Sequence, residues 1–366
     1  MKRVRVHLGP SSYNICIGTG LLSSLGSALD RMFPGRPVAV ISDTTVAELY
    51  SGAIMEQVHT GRRGSAMLTF PAGEPFKNSE TVNTLYTAML ERKFGRDCIV
   101  LAAGGGITGD MAGFVAATYM RGVPFVQFPT TLLAQADSSV GGKTGINHAL
   151  GKNLIGSFYQ PSLVIIDTEV LATLPRNEMI SGMGEVLKYG LIRSRPLFHH
   201  AAEQFEPVVS GADPRALPNI IRKCCAVKAA IVRRDEKEAG LRRILNFGHT
   251  MGHALETCTG YSLFTHGEAV VTGMRWALFI SLDNGLLSQP VFDHIDAVLG
   301  NIPVPCVPAD LTAPALVSAM ALDKKARSGR LSLVLLKRPG RTHVFPVEHI
   351  QDLTEPTERW LRHVST

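Results

Sequence analysis

The chain has 366 residues, 45% of them hydrophobic, with 35 glycines, which is enough for two packed domains. Lys plus Arg number 37 against 31 Asp plus Glu, a net charge of +6 without a long basic run, so small anions are expected partners and nucleic acid is not. No apolar run reaches the roughly 20 residues of a membrane span, the opening Met1–His7 lacks a signal-peptide core, and six cysteines show no CxxC spacing, so a cytoplasmic protein with no membrane partner and no cysteine metal site is expected.

In chain order, Val4 to Leu8 and Tyr13 to Ile17 read as strands around the turn Gly9-Pro10-Ser11-Ser12, and Leu21 to Met32 as an amphipathic helix. Pro37 to Asp43 carries an unbroken apolar run, the pattern of a strand buried on both faces. Asp43 falls at its C-terminal end, where ligands of open α/β sheets bind. It is either a ribose partner or the cap of a helix starting at Thr44.

Ala66 to Phe70 is a further strand, followed by a turn-rich loop with Gly73, Glu74 and Lys77 and by a helix from Ser79 to Arg92. The strand Cys98 to Ala103 then runs into Gly104-Gly105-Gly106-Ile107-Thr108-Gly109-Asp110 and an apolar helix, Met111 to Tyr119. Glycines let backbone N–H groups approach a pyrophosphate, and the helix dipole favours its charge. Gly104, Gly106 and Gly109 satisfy GxGxxG, yet the turn follows a late strand, and no acid ends the next strand, Phe125 to Phe128. A dinucleotide site in a non-standard Rossmann-like order is expected, with Asp43 or Glu74 as ribose partner. A purely structural tight turn is the alternative.

Thr130 and Thr131 offer hydroxyls at a helix start, as caps or phosphate donors. Gly141 to Asn153 reads as a long glycine-rich loop presenting Lys143 and Lys152, either to an anion or to solvent. Leu163 to Asp167 completes the sheet. The domain boundary is placed at Leu174-Pro175, giving an α/β domain over 1–175 and a mostly helical domain with a short β-hairpin over 176–366.

Beyond that boundary Glu185 and Lys188 lie three apart on a helix, as a surface pair or, given Met183, Val186 and Leu187 around them, a buried one. A helix from Ile220 to Arg233 carries Lys228. Leu245, Met251, Ala254 and Leu255 recur at helical spacing, placing His249 and His253 on one helix face, with Arg242 and Asn246 about two turns and one turn upstream. His266 opens the next helix. Imidazoles with a carboxylate suit zinc with one position left open, and Glu185 is the candidate carboxylate. The alternative is capping or core-lining histidines. Asp323-Lys324-Lys325 precedes a hairpin, Leu331 to Leu336 and Thr342 to Val347, turning at Pro339-Gly340.

Jointly, Gly104–Asp110, Tyr119-Met120-Arg121-Gly122, Pro129–Asn147, Gly151-Lys152-Asn153, Gly184–Gly190, Asn246–His253 and His266-Gly267-Glu268 resemble the 3-dehydroquinate synthases among the sugar-phosphate cyclases, over nearly the whole chain. The resemblance implies an N-terminal α/β domain binding NAD and a helical C-terminal domain carrying Zn2+ or Co2+. The implied ligands are Glu185, His249 and His266, with His253 handling substrate. The implied reaction belongs to the shikimate pathway: 3-deoxy-D-arabino-heptulosonate 7-phosphate goes to 3-dehydroquinate and phosphate by transient NAD oxidation, elimination, re-reduction and intramolecular aldol closure.

Lys143, Lys152, Lys188, Lys228, Arg242 and one of Lys324 or Lys325 match family positions that meet the anionic sugar phosphate. Arg121 matches one that reaches the neighbouring subunit's site in a homodimer. By the same resemblance Asn153 and Asn246 bond ring hydroxyls, and Asp137 holds the diol near the metal. Gly73, Glu74, Lys77, Gly104, Gly105, Gly106, Asp110, Thr130, Thr131 and Thr173 line the NAD site, with Asp43, Lys143 and Lys152 beside it. Rival readings are another cyclase, above all an aminodehydroquinate synthase, and an iron-type polyol dehydrogenase. The intact Arg242, Asn246 and His253 disfavour cyclases whose substrates lack a carboxylate, and the lysines at 324 and 325 have no purpose with an uncharged polyol.

Overall fold

The computed structural model describes residues 1–59, 64–325 and 331–364, the side chains of 322–325 excepted. The first strands and helices are β1 (Lys2–Val6), β2 (Tyr13–Gly18), α1 (Leu25–Met32), β3 (Val38–Asp43), α2 (Thr44–His59), β4 (Ala66–Phe70) and α3 (Ser79–Glu91). There follow β5 (Ile99–Gly104), α4 (Gly106–Thr118), β6 (Phe125–Pro129), β7 (Lys143–His148), β8 (Gly151–Phe158) and β9 (Leu163–Asp167). Then come α5 (Arg176–Arg193), α6 (Arg195–Glu203), α7 (Phe205–Val209), α8 (Leu217–Arg234), α9 (His249–Cys258), α10 (His266–Asp283), α11 (Gln289–Gly300) and α12 (Ala313–Lys325). The chain ends on β10 (Leu331–Arg338), β11 (Arg341–Val347) and α13 (Thr354–Val364).

Two compact units result: Met1–Leu174 with Pro214–Lys237, and Pro175–Asp213 with Glu238–Thr366. The expected single cut at 175/176 assigns Lys228 to the later part of the chain, whereas its helix, α8, belongs to the first unit. Its amphipathic face packs there against β1 and β2.

The first unit is built on a seven-stranded sheet in the order β1-β2-β9-β6-β5-β3-β4, parallel except for β1 against β2. Its central strands read as continuous apolar runs because helices cover both faces. On one face Met89, Met111 and Val115 pack with Val100 and Phe125, and on the other Leu29, Ile54 and Val58 pack with Val40, Leu101 and Val126. After β3 the chain moves outward to β4, and it returns on the other side of β3 as β5. The strand order therefore reverses between β3 and β5, whose C-terminal ends carry Asp43 and Gly104. Crevices at such reversals are where open sheets bind ligands.

The stretch expected to be a long loop, Gly141 to Asn153, is instead largely a hairpin. Strands β7 and β8 pair antiparallel, with Thr144 opposite Ser157 and Ile146 opposite Ile155. Glycine and polar residues hide the apolar alternation that marks a strand, so pairing geometry rather than composition decides it. In the second unit α5 is buried along most of its length, from Met179 to Ile192, and packs against α6 and α10. The hairpin β10–β11 forms as expected. Terminal α13 docks through Trp360, fully buried, and through Thr357, which accepts a 3.1 Å hydrogen bond from Trp276 Nε1.

Candidate functional site

In the first unit the glycine turn closes β5 and opens α4. Gly105 is the N-cap, so the first N–H groups of α4 point out of the helix end. Thr130 N–H donates to Gly104 O at 3.0 Å, which holds the start of the next segment beside the turn. The Thr130 hydroxyl is buried and finds no hydrogen-bond partner among the described residues, whereas Thr131 Oγ1 accepts from Ala134 N–H at 3.1 Å as a cap. A helix N-terminus with an orphaned hydroxyl beside it fits the pyrophosphate of a dinucleotide. Asp43 ends β3 and takes the capping position: its Oδ1 caps α2 through Val46 N–H at 3.0 Å and its Oδ2 accepts from Thr108 Oγ1.

Lys77 is buried, and its ammonium sits 2.6 Å from Asp110 Oδ2 and 2.5 Å from Asn153 Oδ1. Glu74 Oε1 accepts from Asn147 Nδ2 at 2.8 Å and lies 3.8 Å from Lys152 Nζ. The contacts of Lys77 and Glu74 with Asn153 and Asn147 pin the β7–β8 hairpin to the loop after β4, in which Gly73 has a φ of +112°. Thr173 shares a 2.7 Å hydrogen bond with the Tyr50 hydroxyl. Lys228 reaches across from α8 to Asp137, at 2.5 Å from Oδ1 and 3.0 Å from the carbonyl. Lys143 is exposed at the start of β7, and Arg121 is exposed with a φ of +66°.

In the second unit the helix expected to run through Leu245 to Leu255 begins only at His249. Leu241–Asn246 is a 3-10 turn, and Gly248 breaks the run at φ +82°. A Cβ on Gly248 would lie 2.8 Å from Val270 O, so the glycine also lets α9 approach α10. His266 lies in the first turn of α10, fixed by a capping box in which Glu268 accepts from Thr265. The Gly267 N–H donates to Ser181 Oγ at 3.0 Å, tying this helix start to α5.

These close approaches bring Glu185, His249 and His266 together, with one donor atom from each within 4.8 Å of the others. Glu185 Oε1 lies 3.6 Å from His249 Nε2 and 3.8 Å from His266 Nε2. Glu185 is fully buried; its Oε2 is paired with the equally buried Lys188, and its Oε1 finds no hydrogen-bond donor among the described residues. A buried carboxylate oxygen left without a donor is unfavourable, and a cation among these donors would offset that cost. His249 Nδ1 faces Phe247 O at 3.2 Å, which keeps the proton there and leaves Nε2 a lone pair. Two imidazole nitrogens and one carboxylate are a donor set that zinc accepts with a position left open.

Burial, then the charges of Lys188 and the neighbouring imidazoles, hold His249 well below the ordinary histidine range. Burial also acts to lower His266, but its hydrogen bond to Glu256 and the charges of Glu256 and Glu185 outweigh this and leave it raised. His253 stands with its ring 5.5 Å from that of His249 and 5.9 Å from that of His266. Arg242 is 1% exposed, and Asn246 Nδ2 donates to Glu238 Oε1 at 3.1 Å. The side chains of Lys324 and Lys325 lie outside the described residues. Sequence reasoning gave no role to Glu256, although its position seven residues after His249 puts it on the same helix face.

Comparison with known proteins bears on both units. Residues 67–181 match the 3-dehydroquinate synthase N-terminal family model, and residues 182–326 the 3-dehydroquinate synthase C-terminal model. A 3-dehydroquinate synthase of Geobacter metallireducens is 45% identical over 97% of this chain and 98% of its own. Among solved structures, a 2-deoxy-scyllo-inosose synthase complexed with carbaglucose-6-phosphate, NAD+ and Co2+ superposes with a TM-score of 0.89 at 26% identity, covering 98% of this chain and 99% of that one. A 2-epi-5-epi-valiolone synthase of Streptomyces hygroscopicus with NAD+ and Zn2+ bound gives 0.88 at 27% identity, covering 98% of each. With both family models matching and a relative at this identity over almost its full length, the chain belongs to the 3-dehydroquinate synthase family.

Proposed function

We propose that the protein converts 3-deoxy-D-arabino-heptulosonate 7-phosphate to 3-dehydroquinate and inorganic phosphate, as an NAD- and divalent-metal-dependent lyase. The observation that carries this reading is the 45% identity to a 3-dehydroquinate synthase over 97% of the chain. When bound, NAD+ accepts and returns a hydride at a ring carbon, and the divalent cation polarises the oxygen on that carbon. Glu185, His249 and His266 would hold the cation, Zn2+ or Co2+, and Lys188 balances the charge of Glu185 from within the protein.

The N-terminus of α4 with Gly104, Gly105, Gly106 and Thr130 receives the cofactor's pyrophosphate. Asp43, Gly73, Glu74, Lys77, Asp110, Thr131 and Thr173 complete that pocket. Lys143, Lys152, Lys228, Arg242 and one of Lys324 or Lys325 match the phosphate and carboxylate of the substrate in charge. Asp137, Asn153 and Asn246 bond its hydroxyls, and His253 handles a substrate proton. Incubating the enzyme with this sugar phosphate and identifying the product by NMR tests the reading. A carbocyclic 3-dehydroquinate supports it, whereas turnover only of the amino-sugar analogue would replace it with aminodehydroquinate synthesis.

The enzyme acts in the cytoplasm as a homodimer on this reading. All six cysteines are free thiols, as a reducing compartment favours. Leu154 and Phe158 share one face of β8 and expose 49% and 43% of their surface, apolar surface of the kind that a partner subunit covers. Arg121 would then serve the neighbouring subunit.

A further inference from the structure

We propose that Glu256 is a positioning residue for His266, accepting a hydrogen bond from its Nδ1–H and so presenting Nε2 to the cation. The inference rests on the cation reading above. The two ring nitrogens of His266 face different carboxylates, Nε2 at 3.8 Å from Glu185 Oε1 and Nδ1 at 3.5 Å from Glu256 Oε2. His249 shows the same arrangement with a backbone partner, its Nε2 3.6 Å from Glu185 Oε1 and its Nδ1 3.2 Å from Phe247 O. Each imidazole thus aims Nε2 at one shared oxygen and rests Nδ1 against another. A ligating histidine whose second nitrogen donates to a fixed oxygen has its tautomer and ring angle set in advance.

The need is greater at His266, whose side chain is 37% exposed against 12% for His249, so water competes for its Nδ1. Glu256 is suited to win that competition. It is 7% exposed and projects from α9 about two turns beyond His249. The nearer acid in sequence, Glu268, is committed to Thr265 by the capping box. Helix α9 therefore supplies one ligand and the anchor of another. Glu256 with His253 and His266 also forms a second group able to hold a cation, a use that would make Glu256 a ligand instead.

Titrating the metal-free full-length protein with Zn2+ and with Co2+ separates these roles. Glu256→Ala should weaken Zn2+ about 10–100-fold at an unchanged one ion per chain and shift the visible Co2+ bands. Glu256→Gln, whose amide oxygen still accepts from Nδ1–H, should recover most of the affinity. If the alanine variant does not fold, Glu256→Met provides the same loss of acceptor at nearly constant volume. Wild-type affinity and an unchanged Co2+ spectrum in a variant lacking the acceptor would overturn the proposal. Two Zn2+ per wild-type chain falling to one in the variant would overturn it as well. A wild-type chain that binds no stoichiometric ion would remove the cation reading itself.

Discussion

The carbonyl oxygen of Ser181 occupies the space that a side chain on Gly267 would need: a Cβ there would lie 1.9 Å from it. Gly267 follows His266, and Ser181 lies one helical turn before Glu185, so this contact sets how closely two of the three converging donors approach. Gly267→Ala is expected to destabilise the protein by about 1–3 kcal/mol, the usual cost of overpacking, and to weaken Zn2+ binding by displacing His266. Urea unfolding and zinc titration check this; unchanged values for both would show that α5 and α10 do not fix the donor geometry.

Glu185→Ala should abolish stoichiometric metal while leaving NAD+ binding intact. The carboxylate lies between His249 and His266 in the second unit, and the glycine turn at Gly104–Gly106 lies in the first. Metal analysis beside NAD+ titration reads both. A variant that keeps one zinc per chain would remove Glu185 from the ligand set.

Asp296 accepts from Arg275 Nε at 2.8 Å and Nη2 at 3.1 Å and stands 3.1 Å from His363 Nε2, fastening α13 to α10 and α11. Burial pushes its carboxyl up, but the hydrogen bonds and charges of Arg275 and His363 outweigh that and hold it below the usual range. A depressed carboxylate stabilises the fold above its unfolded pKa, about 3.9, and that contribution is lost as pH falls through the folded value. Asp296→Asn should therefore cost about 1–3 kcal/mol near pH 7, with a gap that closes below about pH 4. Denaturant unfolding across this range would speak against the pairing if the gap stayed constant.

Charge placed on the exposed apolar residues of β8 should disfavour self-association. Sedimentation equilibrium of Leu154→Lys with Phe158→Lys is expected to give monomer where the native chain is expected to give the proposed dimer. A dimer of unaltered strength would move the interface elsewhere.

The parallel core was legible because β3, β5, β6 and β9, covered on both faces, read as bare apolar runs. The β7–β8 hairpin was not, since its glycines and polar residues carry no strand period and only cross-strand pairing makes it a sheet. Apolar spacing likewise ran through Gly248 unbroken, and only the left-handed backbone there divides a 3-10 turn from α9. Spacing put His249 and His253 on one face but could not choose between His253 and His266 as partners of Glu185. That choice depends on where α10 begins after a chain reversal and on the contact of Gly267 with Ser181. The packing of α8 on β1 and β2, which carries Lys228 to Asp137, joins residues 91 positions apart and has no local signal.

The most direct test of the central claim is inorganic phosphate release from 3-deoxy-D-arabino-heptulosonate 7-phosphate with catalytic NAD+, with and without chelator, while absorbance is followed at the NADH band. Phosphate release that stops with chelator and proceeds without NADH accumulation is the expected result. Absence of phosphate release, or NADH that grows with each turnover, would contradict it.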